Sequence, residues 1–396
     1  MKKHLKEAEI SYLIYTGIHK LLKQKYSNLE FLENGNGIIV YRLKRMCQNP
    51  KNQEILNRAR SGEIILGLYT SDEASREFVD NIYRDLVIDQ DIPESQIMMI
   101  GSCISYKDYI FSVAEKLNRK PIRLEFYDIF EPMTKKLWLQ HITGLDPEKI
   151  KDDLYYSFKS GLNKEKTNKK FIFQNSRWRK HRVSMLCMLH AMGLTEHGYI
   201  SFTEAPKNTI EKYYNKENPW ENTFKDVCDF FQNEELQKIL QSGFDVKKEL
   251  PLILDTTNFH QNLTFHSSYR AQIYYFTNSY FSIVTETHYD TGKMNFLTEK
   301  TFKSILFKSP FLLVTTPGSL ETLKQLGYKT FDGIIDESYD KELDNSKRML
   351  LLGKEIERLC NLNDGELQEF KNKCLPIVDY NYDLLMNKHS YNFTLI

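Results

Sequence analysis

The sequence predicts an α/β protein of two doubly wound, Rossmann-like domains facing each other across a cleft. Three observations lead there. Short apolar runs alternate with helical stretches through the first ~150 residues, the rhythm of a parallel sheet covered on both faces. The same rhythm restarts near Lys169, after a Lys- and Asn-rich interval (KDDLYYSFKSGLNKEKTNKK, residues 151–170) that reads as a hinge. The chain, at 396 residues, also exceeds what one ordinary core organises.

In the first half, GIIVYRL (37–43), GEIILGLYT (62–70), QIMMIG (96–101) and IRLEFYDIF (122–130) read as strands. SREFVDNIYRDLV (75–87) and SYKDYIFSVAEKL (105–117) read as helices. The second half opens on the strand KFIFQN (170–175), then a helix from about Lys180 to Met192 that Gly193 stops. TFKDVCDFFQNEELQKIL (223–240) is helical, and AQIYYFTNSYFSIVTET (271–287) supplies strand. An α-β-α run follows. Thr298 is a suitable N-cap, Phe302, Ile305 and Leu306 share a helical face, and Pro310 ends the helix. Phe311 to Val314 is a short buried strand, Ser319 caps the next helix, and Gly327 ends it. The domains are therefore drawn as 1–165, 166–345, and a helical tail over 346–396.

Composition bounds the function. With 41% hydrophobic residues and abundant Tyr and Phe, the chain is globular and not disordered. A net charge of +1 provides no whole-molecule field for nucleic acid or an anionic membrane, though a local basic groove stays open. The six cysteines form no CxxC pair, so structural zinc and a disulfide framework are not expected, and a reducing compartment fits. The start, MKKHLKEAEISYLIY, has no continuous apolar core of a signal peptide. No apolar run approaches the roughly 20 residues that span a bilayer. A soluble, cytoplasmic protein is expected. Neither GxGxxG nor GxxxxGK[ST] occurs, so an ordinary dinucleotide dehydrogenase and a P-loop ATPase are unsupported.

Two stretches carry chemistry. In KKFIFQNSRWRKHRVSMLCMLHAMGL a strand runs into Asn175 and Ser176, and Arg177, Arg179, Lys180, His181 and Arg182 crowd a helix start. Cations there oppose the helix dipole, and a bound anion would relieve the conflict; a solvated basic turn is the plainer alternative. In the second stretch Glu299 and Lys300 open a helix, where unpaired N–H groups attract phosphate. Spacing alone would make them an exposed helix-start pair.

FLTEKTFKSI, PFLLVTTPGSLETLKQLGYKTF and IIDESYD, together with FIFQNSRWRKHR, resemble phage- and bacteria-type glycosyltransferases of GT-B architecture, and more distantly the α1,3-fucosyltransferases. The resemblance covers roughly residues 170 to 340; the N-terminal half matches only in its α/β rhythm. It implies an enzyme that moves a sugar from a nucleotide diphosphate sugar to an acceptor hydroxyl, with donor in the second domain and acceptor in the first. Glu299 then corresponds to the carboxylate on the donor ribose, Lys300 to the diphosphate contact, Arg182 to the phosphate-binding arginine, and Asn175 to the motif's asparagine. Arg177 and Thr298 complete the donor side. The segment HYDTGKMN (288–295) is longer than the acidic link of the fucosyltransferases, which leaves the donor sugar open. Glu286 at the strand end faces the sugar or nucleobase, or is a solvated strand end.

A catalytic base is expected from the first domain. Glu73 is the first choice and Asp72 the second, in the loop past a buried strand; a helix cap with an acidic first turn is the alternative. Asp128 is a weaker candidate. His181 and His190 lack metal partners, and Asp89-Gln90-Asp91 reads as a turn, so neither metal nor cofactor is expected beyond the nucleotide sugar as co-substrate. The acceptor is left among a glycan, a small metabolite, a protein, or a hydroxymethylated DNA base. The fucosyltransferase likeness implies an inverting mechanism, with a retaining one, which would need no such base, as the alternative. The competing readings are a non-catalytic nucleotide-sugar-binding module and a nucleic-acid-binding protein built on SRWRKHR. Oligomeric state is left open.

Overall fold

The computed structural model describes residues 17–32, 43–69, 76–127, 130, 131, 133–135, 169–175, 178–202, 219–252, 254 and 275–387. The first part runs α1 (17–25), β1 (Leu29–Phe31), α2 (Leu43–Gln48), α3 (Gln53–Arg60), β2 (Ile65–Tyr69), α4 (Arg76–Ile82), β3 (Ile97–Gly101), α5 (Tyr106–Lys116) and β4 (Arg123–Phe126). The second runs β5 (Lys169–Asn175), α6 (Lys180–Ala191), β6 (Gly198–Phe202), α7 (Pro219–Phe230), α8 (Glu234–Ser242), β7 (Ser279–Thr285), α9 (Glu299–Leu306), β8 (Phe311–Val314) and α10 (Ser319–Gln325). Helices α11 (Asn345–Asn361) and α12 (Asp364–Asn387) close the described chain.

The described strands form two four-stranded, all-parallel sheets, ordered β1-β2-β3-β4 and β6-β5-β7-β8. Parallel sheets bury both faces, and β3, β7 and β8 are buried along their whole length. Register is set by that burial: Leu68 lies against Met99, Ile172 against Ser282, and Val284 against Leu313. In the second sheet the strand order reverses between β5 and β7. In open α/β sheets ligands collect at such a reversal, outside the strands' carboxyl ends.

Several expectations need correction. Of GIIVYRL, residues 37–42 lie outside the described residues, and Leu43 opens α2 instead of ending a strand. The helix expected over 223–240 is two, because the Asn233 side chain accepts from Leu236 N–H (3.0 Å) and starts α8 afresh. Ser319 is the first helical residue of α10, and the cap position is Gly318 at φ 80°. Both Asp340 oxygens accept from Leu320 N–H there, at 3.1 and 3.2 Å. The boundary at 165/166 lies outside the described residues. The tail folds back on the second sheet, with Asp379 of α12 paired to Lys308 (2.8 Å) and Phe370 edge-on to Phe281. Asp89 and Gln90 form a bend closed by Arg60 Nε, which donates to Gln90 O (2.7 Å). Among the described residues no helix is long and apolar enough to cross a membrane.

Candidate active site at the β5–β7 reversal

Asn175 ends β5 and Thr285 ends β7, side by side at the reversal. Thr285 Oγ1 donates to Asn175 Oδ1, so the Asn175 amide is fixed in orientation. Its Nδ2, buried with the residue only 6% exposed, has no hydrogen-bond partner among the described residues. Native proteins rarely leave a buried donor unpaired, and such groups mark places where a partner arrives.

The basic start of α6 turns inward. Arg182 Nη2 donates to the carbonyls of Glu286 (3.1 Å) and Thr285 (3.4 Å), and Arg179 Nη1 donates to that of Thr287 (3.1 Å). His181 Nε2 donates to Glu286 O (3.0 Å), which fixes that nitrogen as the protonated one, and its ring stacks on Tyr289 at 5.4 Å. Burial, and then the Arg182 guanidinium, hold the His181 imidazole well below its ordinary pKa. The dipole conflict is thus eased by carbonyls beyond β7. Of the described residues of SRWRKHR, 178–182, only Lys180 is exposed, so these five are no solvated basic turn. Arg179, at the cap position of α6, makes no side-chain cap bond, and Arg182 N–H turns back to Arg179 O (2.9 Å).

Glu286 is fully buried, not a solvated strand end. Its Oε1 accepts from Thr298 N–H (2.9 Å), Thr301 N–H (3.3 Å) and the Thr301 hydroxyl (2.6 Å). Oε2 accepts from the Thr298 hydroxyl (2.6 Å). One residue therefore ties both helix starts together, α6 through its carbonyl and α9 through its carboxylate. Thr298 is the α9 cap, as its sequence position predicted, but its hydroxyl faces Lys300 N–H at only 3.5 Å; the Glu286 carboxylate does most of the capping.

Glu299 and Lys300 are the partly open members, with side chains 21% and 29% exposed. Lys300 Nζ donates to Glu299 Oε1 and Thr298 Oγ1, both at 2.9 Å. Burial would raise the Glu299 carboxyl, but Lys300 and Lys303 outweigh it and hold its pKa below the ordinary value. The carboxylate is ionised and free to accept from vicinal hydroxyls. Of the predicted donor residues, Asn175, Arg182, Glu286, Thr298, Glu299 and Lys300 meet in one place, with Arg182 and Glu286 committed to internal bonds. Arg177, Asp72, Glu73 and Asp128 lie outside the described residues.

Sequence reasoning missed what walls the site. The segment 288–295 is anchored by Arg348, only 1% exposed, whose guanidinium lies 4.3 Å over the Tyr289 ring and donates to Tyr289 O. Asn295 faces both sheets. Its carbonyl accepts from Cys103 Sγ (3.0 Å) in the loop after β3, and its side chain bonds Thr316 (2.8 Å) and Thr322 (3.2 Å). Phe296 meets Phe130 edge-on at 5.3 Å. Nothing local in sequence flags these pairs. A separate pocket of about 960 Å³, lined by Pro317, Glu321, Asp336, Lys341 and Arg358 among others, shares no residue with the cluster. Among the described residues no group of three or more His, Cys, Asp and Glu could hold a metal ion.

Two solved structures resemble the chain in outline. One is the UDP-forming α,α-trehalose-phosphate synthase of Burkholderia xenovorans, 12% identical, with a TM-score of 0.43 over 98% of this chain and 78% of that one. The other is a glycosyltransferase of Rickettsia africae, 11% identical, with a TM-score of 0.37 over 99% and 83%. No protein-family profile and no curated protein matches the chain. Likeness this loose leaves the fold to be read from the two sheets themselves.

Proposed function

We propose that the chain is a nucleotide-sugar-dependent glycosyltransferase on the GT-B plan, binding the nucleotide diphosphate sugar in its second domain and the acceptor in its first. One observation carries the reading: two helix starts, α6 and α9, converge at the β5–β7 reversal beside Asn175 Nδ2, which has no partner among the described residues, and a partly open Glu299–Lys300 pair. Glu299 accepts from the ribose hydroxyls. Lys300, the α6 N–H groups and Asn175 Nδ2 take the diphosphate, whose negative charge grows as the glycosyl bond breaks. Arg182, buried behind them, adds its field and holds the end of β7 in place. The acceptor hydroxyl is deprotonated by Glu73, or by Asp72, as its oxygen attacks the anomeric carbon. Both follow β2, which lies beside β3, and the loop after β3 touches Asn295 of the second domain.

The test is turnover. Incubated with UDP-, GDP-, ADP-, CDP- and TDP-sugars, the enzyme is expected to release nucleoside diphosphate from at least one of them saturably, by slow transfer to water. Lys300→Ala should reduce that rate by about two orders of magnitude, the usual worth of one electrostatic contact in the transition state. No binding and no turnover with any of the five would overturn the reading.

A further inference from the structure

We infer that Glu286 is a positioning residue for donor binding, and that it acts on Lys300 through the Thr298 hydroxyl; this rests on the function proposed above. The Thr298 hydroxyl has one proton, and the 2.6 Å contact to Glu286 Oε2 takes it. A carboxylate can only accept, so the proton has nowhere else to point. The hydroxyl lone pairs are then presented to Lys300 Nζ, 2.9 Å away. Oε1 meanwhile is held to the α9 start by the Thr298 and Thr301 N–H groups, so the carboxylate cannot swing, and the Thr301 hydroxyl adds a further bond off the relay. Lys300 Nζ lies 3.9 Å from Oε2 as well, near enough to feel the charge without bonding to it directly. The ammonium is thereby set at the mouth of α9 before any ligand arrives, and less freedom is lost on binding.

Glu286→Gln keeps the shape and reverses the polarity. An amide NH₂ facing Thr298 would turn the hydroxyl into an acceptor and swing its proton toward Lys300, which the ammonium repels. Affinity is measured by calorimetry with UDP, GDP, ADP, CDP and TDP, and the tightest binder is carried forward. Glu286→Gln is expected to weaken it by about tenfold, the scale of one charge-assisted contact. In a Lys300→Ala background the same change should cost less than about twofold, because the residue it positions is gone. Thr301→Val, which removes a Glu286 contact off the relay, should lower the melting temperature without that binding loss. If Glu286→Gln does not fold, Thr298→Val removes the relay hydroxyl and takes its place in the cycle. Equal losses with and without Lys300, or unchanged affinity, would reduce Glu286 to a helix cap and overturn the inference. If the wild type binds none of the five diphosphates, the proposed function itself fails and the inference falls with it.

Discussion

At Arg182 and His181 the identity of the residue was legible in the sequence and its direction was not. A cation at a helix start poses an electrostatic question, but only the position of β7 answers it, and β7 lies a hundred residues away in the chain. Thr298 was legible as a cap because cap and first turn are local, whereas spacing alone made Glu299 and Lys300 an exposed helix-start pair. Glu286, their partner, stood twelve residues off and could have faced anything. Arg182→Ala leaves buried carbonyls with fewer donors and a hole beneath them. It is expected to destabilise the fold by about 2–4 kcal/mol in urea unfolding; wild-type stability would mean that the guanidinium is not held inward. His181 gives a pH signature. Its folded pKa is depressed, so its stabilisation is fully present above the unfolded value of about 6.5 and is lost as pH falls below it. As pH falls from about 7.5 to about 5.5, through the unfolded value, the wild type should lose more stability than His181→Gln in urea unfolding. Parallel losses in the two proteins would place the imidazole in water.

Among the elements, length decided what could be read. The runs 65–69, 97–101 and 169–175 announced themselves by consecutive apolar residues and bounding turns, α5 and α9 by period, and α6 by its Gly193 stop. β1 is three residues long, too short to carry a pattern, and β6 (GYISF) alternates weakly. The break between α7 and α8 hides in a polar Gln232-Asn233 pair that a helix would tolerate on its surface. Gly243, just past α8, shows what the packing of these elements demands. A Cβ there would sit 1.8 Å from the carbonyl oxygen of Cys187 on α6, and backbone cannot step aside as a side chain can. Gly243→Ala is expected to cost about 3 kcal/mol or more, read as a lowered urea midpoint with the slope unchanged. A cost under about 1 kcal/mol would show that α8 and α6 are not so closely packed.

For the whole molecule, the two-sheet architecture followed from the α/β rhythm and the chain length, but its joints did not. Cys103 and Asn295, Phe130 and Phe296, and Lys135 and Met386 join the first sheet's surroundings to the second's through pairs far apart in sequence. The strand order that makes the reversal at β5 and β7 is likewise a long-range property: β7 passes over β5 to reach its place, and no local pattern says so. The central claim is that the donor diphosphate sits at this reversal, between the starts of α6 and α9. Amide hydrogen exchange with and without the tightest-binding nucleoside diphosphate tests it most directly, because a phosphate on a helix start slows the N–H groups it binds. The expected result is slowed exchange in peptides covering 178–183 and 298–301, with 331–341 beside the separate pocket unchanged. Slowed exchange at 331–341 with none at 298–301 would contradict it.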